Sequence, residues 1–266
     1  MHANPDPMLR ESPVPPITPP PPSRPLDWRR ARRLVRVLMD DPERTELVFE
    51  LMDALGGRGD EPLFQEFASS RAGQRLLRER PPLVAALADR EALRALPDGS
   101  LGRAYLAFAE ARAFAADGLQ QANDRGLGAV NAALDPERRY FYQRLTAMHD
   151  LWHVLTGYGT DESGEVALLA FSLAQGIAGR GVRVILLAAA WRGPRAGAFA
   201  FQRQLVAAWR RGRRCERLAL LRYEELLPRP LASLRRELRL PSLYDAHPGG
   251  LVRLAAGFAR ARASGV

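Results

Sequence analysis

The sequence predicts an all-α fold, a single multi-helix domain with a buried central helix. Three observations support it. From Trp28 onward, apolar residues recur at spacings of three and four in almost every segment. Val166 to Ala178 is apolar on nearly all sides, as a helix enclosed by others should be. The one run with strand character, Val182 to Ala190, ends in three alanines and has no partner strand of comparable quality, so helix is favoured there too.

Ten of the first 25 residues are proline, which predicts a disordered lead-in over 1–25. The helical domain then runs over 26–243, with a basic amphipathic tail over 244–266. Leu34, Val37 and Leu38 form the first stripe, and Asp40-Asp41-Pro42 separates it from Leu47, Val48, Leu51 and Leu55. Gly56 to Asp60 ends that unit. Glu61 to Arg80 follows as a helical stretch with Phe64, Phe67, Leu76 and Leu77 inward, closed by Pro81-Pro82. Leu83 to Leu96 is a short amphipathic segment. After the turn Pro97 to Ser100, Ser100 can cap a helix that carries Tyr105, Phe108 and Phe114.

Asp135 at the N-cap and Pro136 at the first helical position start the next helix, whose stripe is Phe141, Leu145, Met148, Trp152 and Leu155. The enclosed helix Val166 to Ala178 comes next. Phe199 to Arg214 and Cys215 to Leu227 continue the helical pattern, and Pro228 to Leu240 closes it.

Composition narrows the chemistry. All 39 basic residues are arginine, so neither Schiff-base nor lysine-nucleophile catalysis is available, and pyridoxal-phosphate enzymes are excluded. The single Cys215 excludes an intramolecular disulfide and any cysteine-built metal site. A net charge of +9, with arginines clustered at Arg29–Arg36, Arg210–Arg217 and Arg235–Arg239, suits either a solvated helix face or a surface of anionic lipid. No nucleic-acid signature accompanies them. The longest central charge-free stretch, Val166 to Gly179, is too short to span a bilayer.

The most informative feature is His149-Asp150-Leu-Trp-His153 with Glu165 following after eleven intervening residues, which holds two of the four histidines. At about 100° per residue, His153 lies roughly 40° and Asp150 about 100° round the helix from His149, so three ligand atoms share one side. Gly157-Tyr-Gly159-Thr160 lets the chain turn back, and a second helix brings Glu165. The candidate metal ligands are therefore His149, Asp150, His153 and Glu165, with nitrogen and oxygen donors for a divalent ion. The competing explanation makes the two histidines core-edge residues bonded to Asp150, Tyr158 or backbone. A zinc protease wants glutamate where Asp150 stands. A His-Asp phosphohydrolase needs an upstream histidine, and His2 lies in the lead-in.

His-Asp-x-x-His-x11-Glu resembles the signature of the ubiquinone (coenzyme Q) biosynthesis family of the fourth Coq protein and its bacterial homologues. Leu96 to Tyr105 is similar to that family's upstream segment. Tyr223-Glu224-Glu225-Leu226-Leu227, Pro230-Leu231 and Leu234-Arg235-Arg236 are similar to its closing region, where tryptophan commonly replaces Tyr223. The likeness covers roughly Asp27 to Leu243.

That resemblance implies an all-helical, membrane-associated protein with zinc the usual metal, Fe2+ and Mn2+ remaining open. It implies a polyprenylated aromatic substrate, lipid binding and other ubiquinone-biosynthesis enzymes as partners; a homo-oligomer stands beside a monomer as an open alternative. The implied activity is metal-dependent C1 decarboxylation of a 4-hydroxy-polyprenylbenzoate, with or without coupled hydroxylation, by a metal-dependent carboxy-lyase. The alternatives are a non-catalytic lipid-binding organiser with a structural metal, and a metal-dependent hydrolase. With no transit peptide in view, the expected location is the bacterial cytoplasm, peripheral on the inner face of the plasma membrane. Arg144 would approach a substrate only from the side or be a surface residue, and Trp152, Phe171 and Leu173 would line a lipid channel or simply fill the core.

Overall fold

The structure is a computed structural model, which describes residues 18–19, 25–40, 45–55, 60–111, 132–177, 179, 182–183, 186–187 and 198–252. Among the described residues the helices are α1 (Trp28–Asp40), α2 (Thr45–Ala54), α3 (Glu61–Ser69), α4 (Arg71–Glu79), α5 (Leu83–Ala88), α6 (Arg90–Ala95) and α7 (Leu101–Glu110). They continue with α8 (Pro136–Thr156), α9 (Glu162–Ala174), α10 (Ala198–Arg214), α11 (Tyr223–Leu226), α12 (Leu231–Glu237) and α13 (Leu243–Ala246). The fold is all-α, and residues 182–183 and 186–187 of the ambiguous run are helical. Most of the lead-in, Phe114 and the tail from 253 lie outside the described residues.

Helix boundaries follow side-chain caps. Ser100 accepts from the Arg103 backbone N–H at the start of α7, and Asp135 accepts from that of Arg138 at the start of α8. The stretch Glu61 to Arg80 is not one helix. Ser70, extended at ψ 148, leaves the helical path, and its hydroxyl caps α4 through Gly73 N–H at 2.9 Å. Asp89 divides α5 from α6 in the same way. Cys215 to Leu227 is also broken, into a 3-10 turn at Leu218–Leu220 and the short α11. The physical reason is Gln175, whose side-chain oxygen takes the Leu218 N–H while its amide donates to the Gly212 carbonyl. The enclosed helix runs Glu162–Ala174, earlier than its apolar run suggests, since Gln175 leaves the helix and Gly176 takes φ 96.

The long α8 packs against α5, α7 and α9, while α9 packs along α10. Phe141, Met148, Leu151 and Leu155 on α8 are fully buried, and Phe141 meets Phe64 and Phe67 at ring distances of 5.5 and 4.9 Å. Truncating such a ring to alanine costs about 3–5 kcal/mol. The turn at Pro97–Ser100 docks onto the segment before α12: Leu101 N–H donates to Arg229 O, Gly102 N–H to Leu227 O and Leu231 N–H to Gly99 O. Two sequence segments more than a hundred residues apart are thus joined by backbone bonds. Helices α1 and α2 bury a separate small cluster, Ala31, Leu34, Leu47, Leu51, Ala54 and Leu55, and Arg30 ties it with pairs to Glu50 and Asp53.

Several clustered arginines make ties within the fold, from half-exposed to buried. Arg217 makes a two-pronged pair with Glu66, Arg235 donates to the Val154 and Leu155 carbonyls at the end of α8, and Arg211 is 2% exposed. Arg144 is not a surface residue. It is buried, grips Glu224 with both terminal nitrogens and donates to Leu221 O. Trp152 and Phe171 are core residues, whereas Leu173 lines an apolar hollow of about 180 Å³ with Ala170, Leu186, Leu205, Val206 and Trp209. Among the described residues no helix is long and apolar enough to cross a membrane.

Candidate metal centre

The last turns of α8 carry His149, Asp150 and His153, and the first turn of α9 carries Glu165. Between them the chain reverses at Gly157, whose φ of 76 is left-handed and suits glycine. The reversal is tight enough that a Cβ on Gly164 would sit 2.1 Å from the Gly159 carbonyl oxygen. Only a glycine at 164 lets the first turn of α9 lie against that backbone, and Glu165 is the next residue.

The turn brings three of the four predicted ligands together. One ligand atom each of His149, His153 and Glu165 lie within 4.8 Å of one another. Glu165 Oε1 is 3.2 Å from His153 Nε2 and Oε2 is 3.8 Å from His149 Nε2. Asp150 stands one step back, with Oδ1 3.4 Å from His149 Nδ1. The side chains of His153, Glu165 and His149 are 0%, 37% and 40% exposed, so the cluster is closed at His153 and open at Glu165 and His149. Phe108 stacks on the buried His153 ring at 5.6 Å.

The imidazole bonds decide which nitrogens face inward. His153 Nδ1 is 3.0 Å from the Tyr158 carbonyl oxygen, which has no proton to give, so Nδ1 carries the hydrogen. Nε2 of the neutral ring is then a lone pair; it is buried, makes no hydrogen bond and points at a carboxylate oxygen. Two acceptors in that position need a cation between them, either a proton or a metal ion. The core-edge explanation and the ligand explanation are therefore compatible: the bonds to Tyr158 and Asp150 use the nitrogens that turn away from Glu165.

Charge at the site follows the same geometry. Desolvation resists ionisation of His149, but the Asp150 bond and the fields of Glu165 and Asp150 outweigh it and raise its pKa. For Glu165, burial works upward, while a proton bridging to His153 in the absence of metal, and the His149 field, prevail and hold it below the usual carboxylate range. Burial, and then the charge of Asp150, push the Tyr105 hydroxyl above its ordinary value. Two imidazoles and one carboxylate form a donor set that suits zinc with an open position, or Fe2+ or Mn2+ in a facial arrangement.

Sequence reasoning offered Tyr158 as a partner of the histidines, and its carbonyl is the one that orients His153, but it missed Gly164 and His247, whose Nε2 is 3.0 Å from Tyr158 Oη. A lone glycine in a helix start was the available signal for the first. Nothing local signals a contact across 89 residues.

Comparison with known proteins adds independent findings. The family model for the coenzyme Q (ubiquinone) biosynthesis protein Coq4 matches residues 34–243. The chain is similar to the mitochondrial ubiquinone biosynthesis protein COQ4 homolog of Bos taurus, 31% identical over 202 residues that cover 74% of this chain and 72% of the relative. It is similar also to the mitochondrial ubiquinone biosynthesis protein COQ4 of Yarrowia lipolytica, 30% identical with 74% of each chain covered. A crystal structure from Nostoc punctiforme PCC 73102, of a protein assigned to ubiquinone biosynthesis, shares the fold with a TM-score of 0.53 and 20% identity over 82% of this chain and 100% of that one.

Proposed function

The chain belongs to the Coq4 family of coenzyme Q (ubiquinone) biosynthesis proteins, and on that premise we propose that His149, His153 and Glu165, with Asp150 orienting His149 from behind, hold a divalent ion for C1 decarboxylation of a 4-hydroxy-polyprenylbenzoate. The observation that carries this proposal is the buried, bond-free His153 Nε2 aimed at Glu165 Oε1. Zinc is the first candidate, and Fe2+ or Mn2+ fit the same donors. When bound, the ion would supply Lewis acidity toward a developing oxyanion or the departing carboxylate.

The chain's own groups have definable tasks. In the reaction the bond from C1 to the carboxylate breaks, carbon dioxide leaves and C1 gains a proton. Protonation at C1 comes first and makes a dienone whose C4 oxygen accepts electron density. The breaking bond's pair then restores the ring. Asp150 holds the proton on His149 Nδ1 and so turns Nε2 toward Glu165. Glu165 and His149, each more than a third exposed, border the side from which the substrate enters. The open side supports chemistry over helix stapling, since structural sites are closed by four protein ligands.

The protein works at a membrane surface, with other quinone-ring enzymes and a polyprenyl substrate, on the inner face of the plasma membrane if its source is bacterial. Supporting this, Phe199, Val206 and Trp209 are exposed on α10 beside the exposed Arg203, Arg210 and Arg213. Flotation with anionic liposomes tests it, and absence of binding would count against it.

The central experiment compares bound metal and turnover of a polyprenyl-4-hydroxybenzoate in wild type and His153→Ala. The expected result is loss of both in the variant. Normal metal content there would remove the ligand assignment. Metal and lipid binding in the wild type without turnover would favour a non-catalytic organiser.

A further inference from the structure

Beyond the ligands, a C-terminal segment past residue 243, where the family match ends, is bonded to residues next to the ligands in the chain. After α13 the chain runs from His247 to Val252 and is hydrogen-bonded at two places, through the His247 side chain and the Val252 backbone. The first is Tyr158. His247, 6% exposed, sets Nε2 3.0 Å from Tyr158 Oη, and the Arg211 guanidinium covers the same phenol ring at 5.1 Å. Tyr158 is the residue whose carbonyl receives His153 Nδ1–H.

The second place is the first turn of α9. Ser163 Oγ donates to Val252 O at 2.5 Å, and Val252 N–H donates to Gln204 Oε1 at 2.6 Å. Gln204 Nε2 returns to Ser163 O at 3.4 Å and closes a ring of three bonds. Glu165 is two residues beyond Ser163 on that turn.

One short segment thus anchors the turn that orients His153 and the helical turn that carries Glu165. The two ligands stand on different elements, and their separation of 3.2 Å depends on how those elements are held. We propose that His247–Val252 is a strap that sets the metal geometry, with Tyr158, His247 and Ser163 as positioning residues. The proposal rests on the metal-site reading above. Outer partners of ligating histidines fix ring orientation and ligand basicity, and their loss weakens metal binding by roughly 10–100-fold.

The test uses the full chain with Zn2+ affinity from chelator competition and the visible spectrum of the Co2+-loaded protein. Tyr158→Phe removes one oxygen and keeps the ring. It should weaken Zn2+ binding about tenfold, at the low end of the outer-partner range, and alter the Co2+ bands. His247→Leu should do the same, and His247→Gln should restore part of the loss, because the amide can still bond the phenol. Ser163→Ala, which acts on Glu165 through the other anchor, decides the matter if a Tyr158 or His247 variant fails to fold by circular dichroism. Wild-type affinity and an unchanged Co2+ spectrum in folded Tyr158→Phe and Ser163→Ala would overturn the strap while leaving the metal site intact. A wild type that binds neither ion would overturn the strap together with the site.

Discussion

His153 gives its Nδ1 hydrogen to the Tyr158 carbonyl 3.0 Å away, five residues further along the chain, and this bond turns a bare Nε2 toward Glu165. A helix C-terminus ordinarily leaves its last carbonyls open and reverses on a left-handed residue. Here Gly157 makes that reversal, and the reversed chain supplies a carbonyl to a side chain of the helix it has just left. A local backbone motif thereby selects an imidazole tautomer.

Glu165→Gln should separate the metal role from the structural one. The amide can still donate to His153 Nε2 but loses the carboxylate's attraction for His149, so in mildly acidic solution the metal-free variant should unfold at or slightly below the wild-type temperature. Zn2+ affinity should fall by more than about 100-fold, beyond the usual cost of losing an outer partner. Thermal scans with and without Zn2+ read both effects; the wild type should gain stability with metal and the variant should not.

Asp150→Asn should lower the His149 pKa, followed by NMR titration of the metal-free protein. The raised His149 pKa contributes stability that is complete below its unfolded value near 6.5 and disappears as pH rises through the folded value. The depressed Glu165 pKa acts oppositely, contributing above its unfolded value and losing effect as pH falls through the folded one. Stability of the metal-free wild type from this pair is therefore greatest in mildly acidic solution, and the asparagine variant should lose the His149 part. An unchanged His149 titration would contradict the contact.

Arg144→Met should destabilise the fold by about 3–5 kcal/mol, the cost of leaving one partner of a buried pair alone. Its guanidinium spans Glu224 and the Leu221 carbonyl, which links α8 to α11. Arg144→Met with Glu224→Leu should recover much of the loss. Urea denaturation of the single and double variants measures the difference, and intact Zn2+ binding is expected in the double variant.

Gly164→Ala should cost about 1–3 kcal/mol through overpacking, because its methyl would overlap the Gly159 carbonyl. The turn must shift to admit it, so Zn2+ affinity should fall as well. A variant with wild-type stability and affinity would show that the turn is slack.

Cys215 should stay inert to thiol reagents in the native protein. It is 8% exposed, and burial pushes its thiol up to about 12. A chromogenic disulfide at pH 8 should react only in step with unfolding.

The all-α class and the positions of the candidate ligands were open to inspection in the sequence because both depend on short-range geometry. Apolar spacing of three and four states which face of a helix is inward, and His149 and His153 share a side because they are one turn apart. Proline and glycine marked Pro136 and Gly157 for the same reason. Boundaries set by competing side-chain bonds were less legible: Ser70 breaks what apolar spacing presents as one helix, and Gln175 breaks the stretch after Cys215.

What only the tertiary structure decided are contacts between residues far apart in the chain. Arg144 was assigned by its angle on an isolated helix, yet Glu224, 80 positions away, draws it inside. His247 reaches Tyr158 across 89 positions. Glu165 could be placed on a second helix from sequence, but its distance of 3.2 Å from His153 depends on the close approach at Gly164. Helical periodicity is fixed within a few residues of the chain, whereas these separations are set by which helix faces pack together.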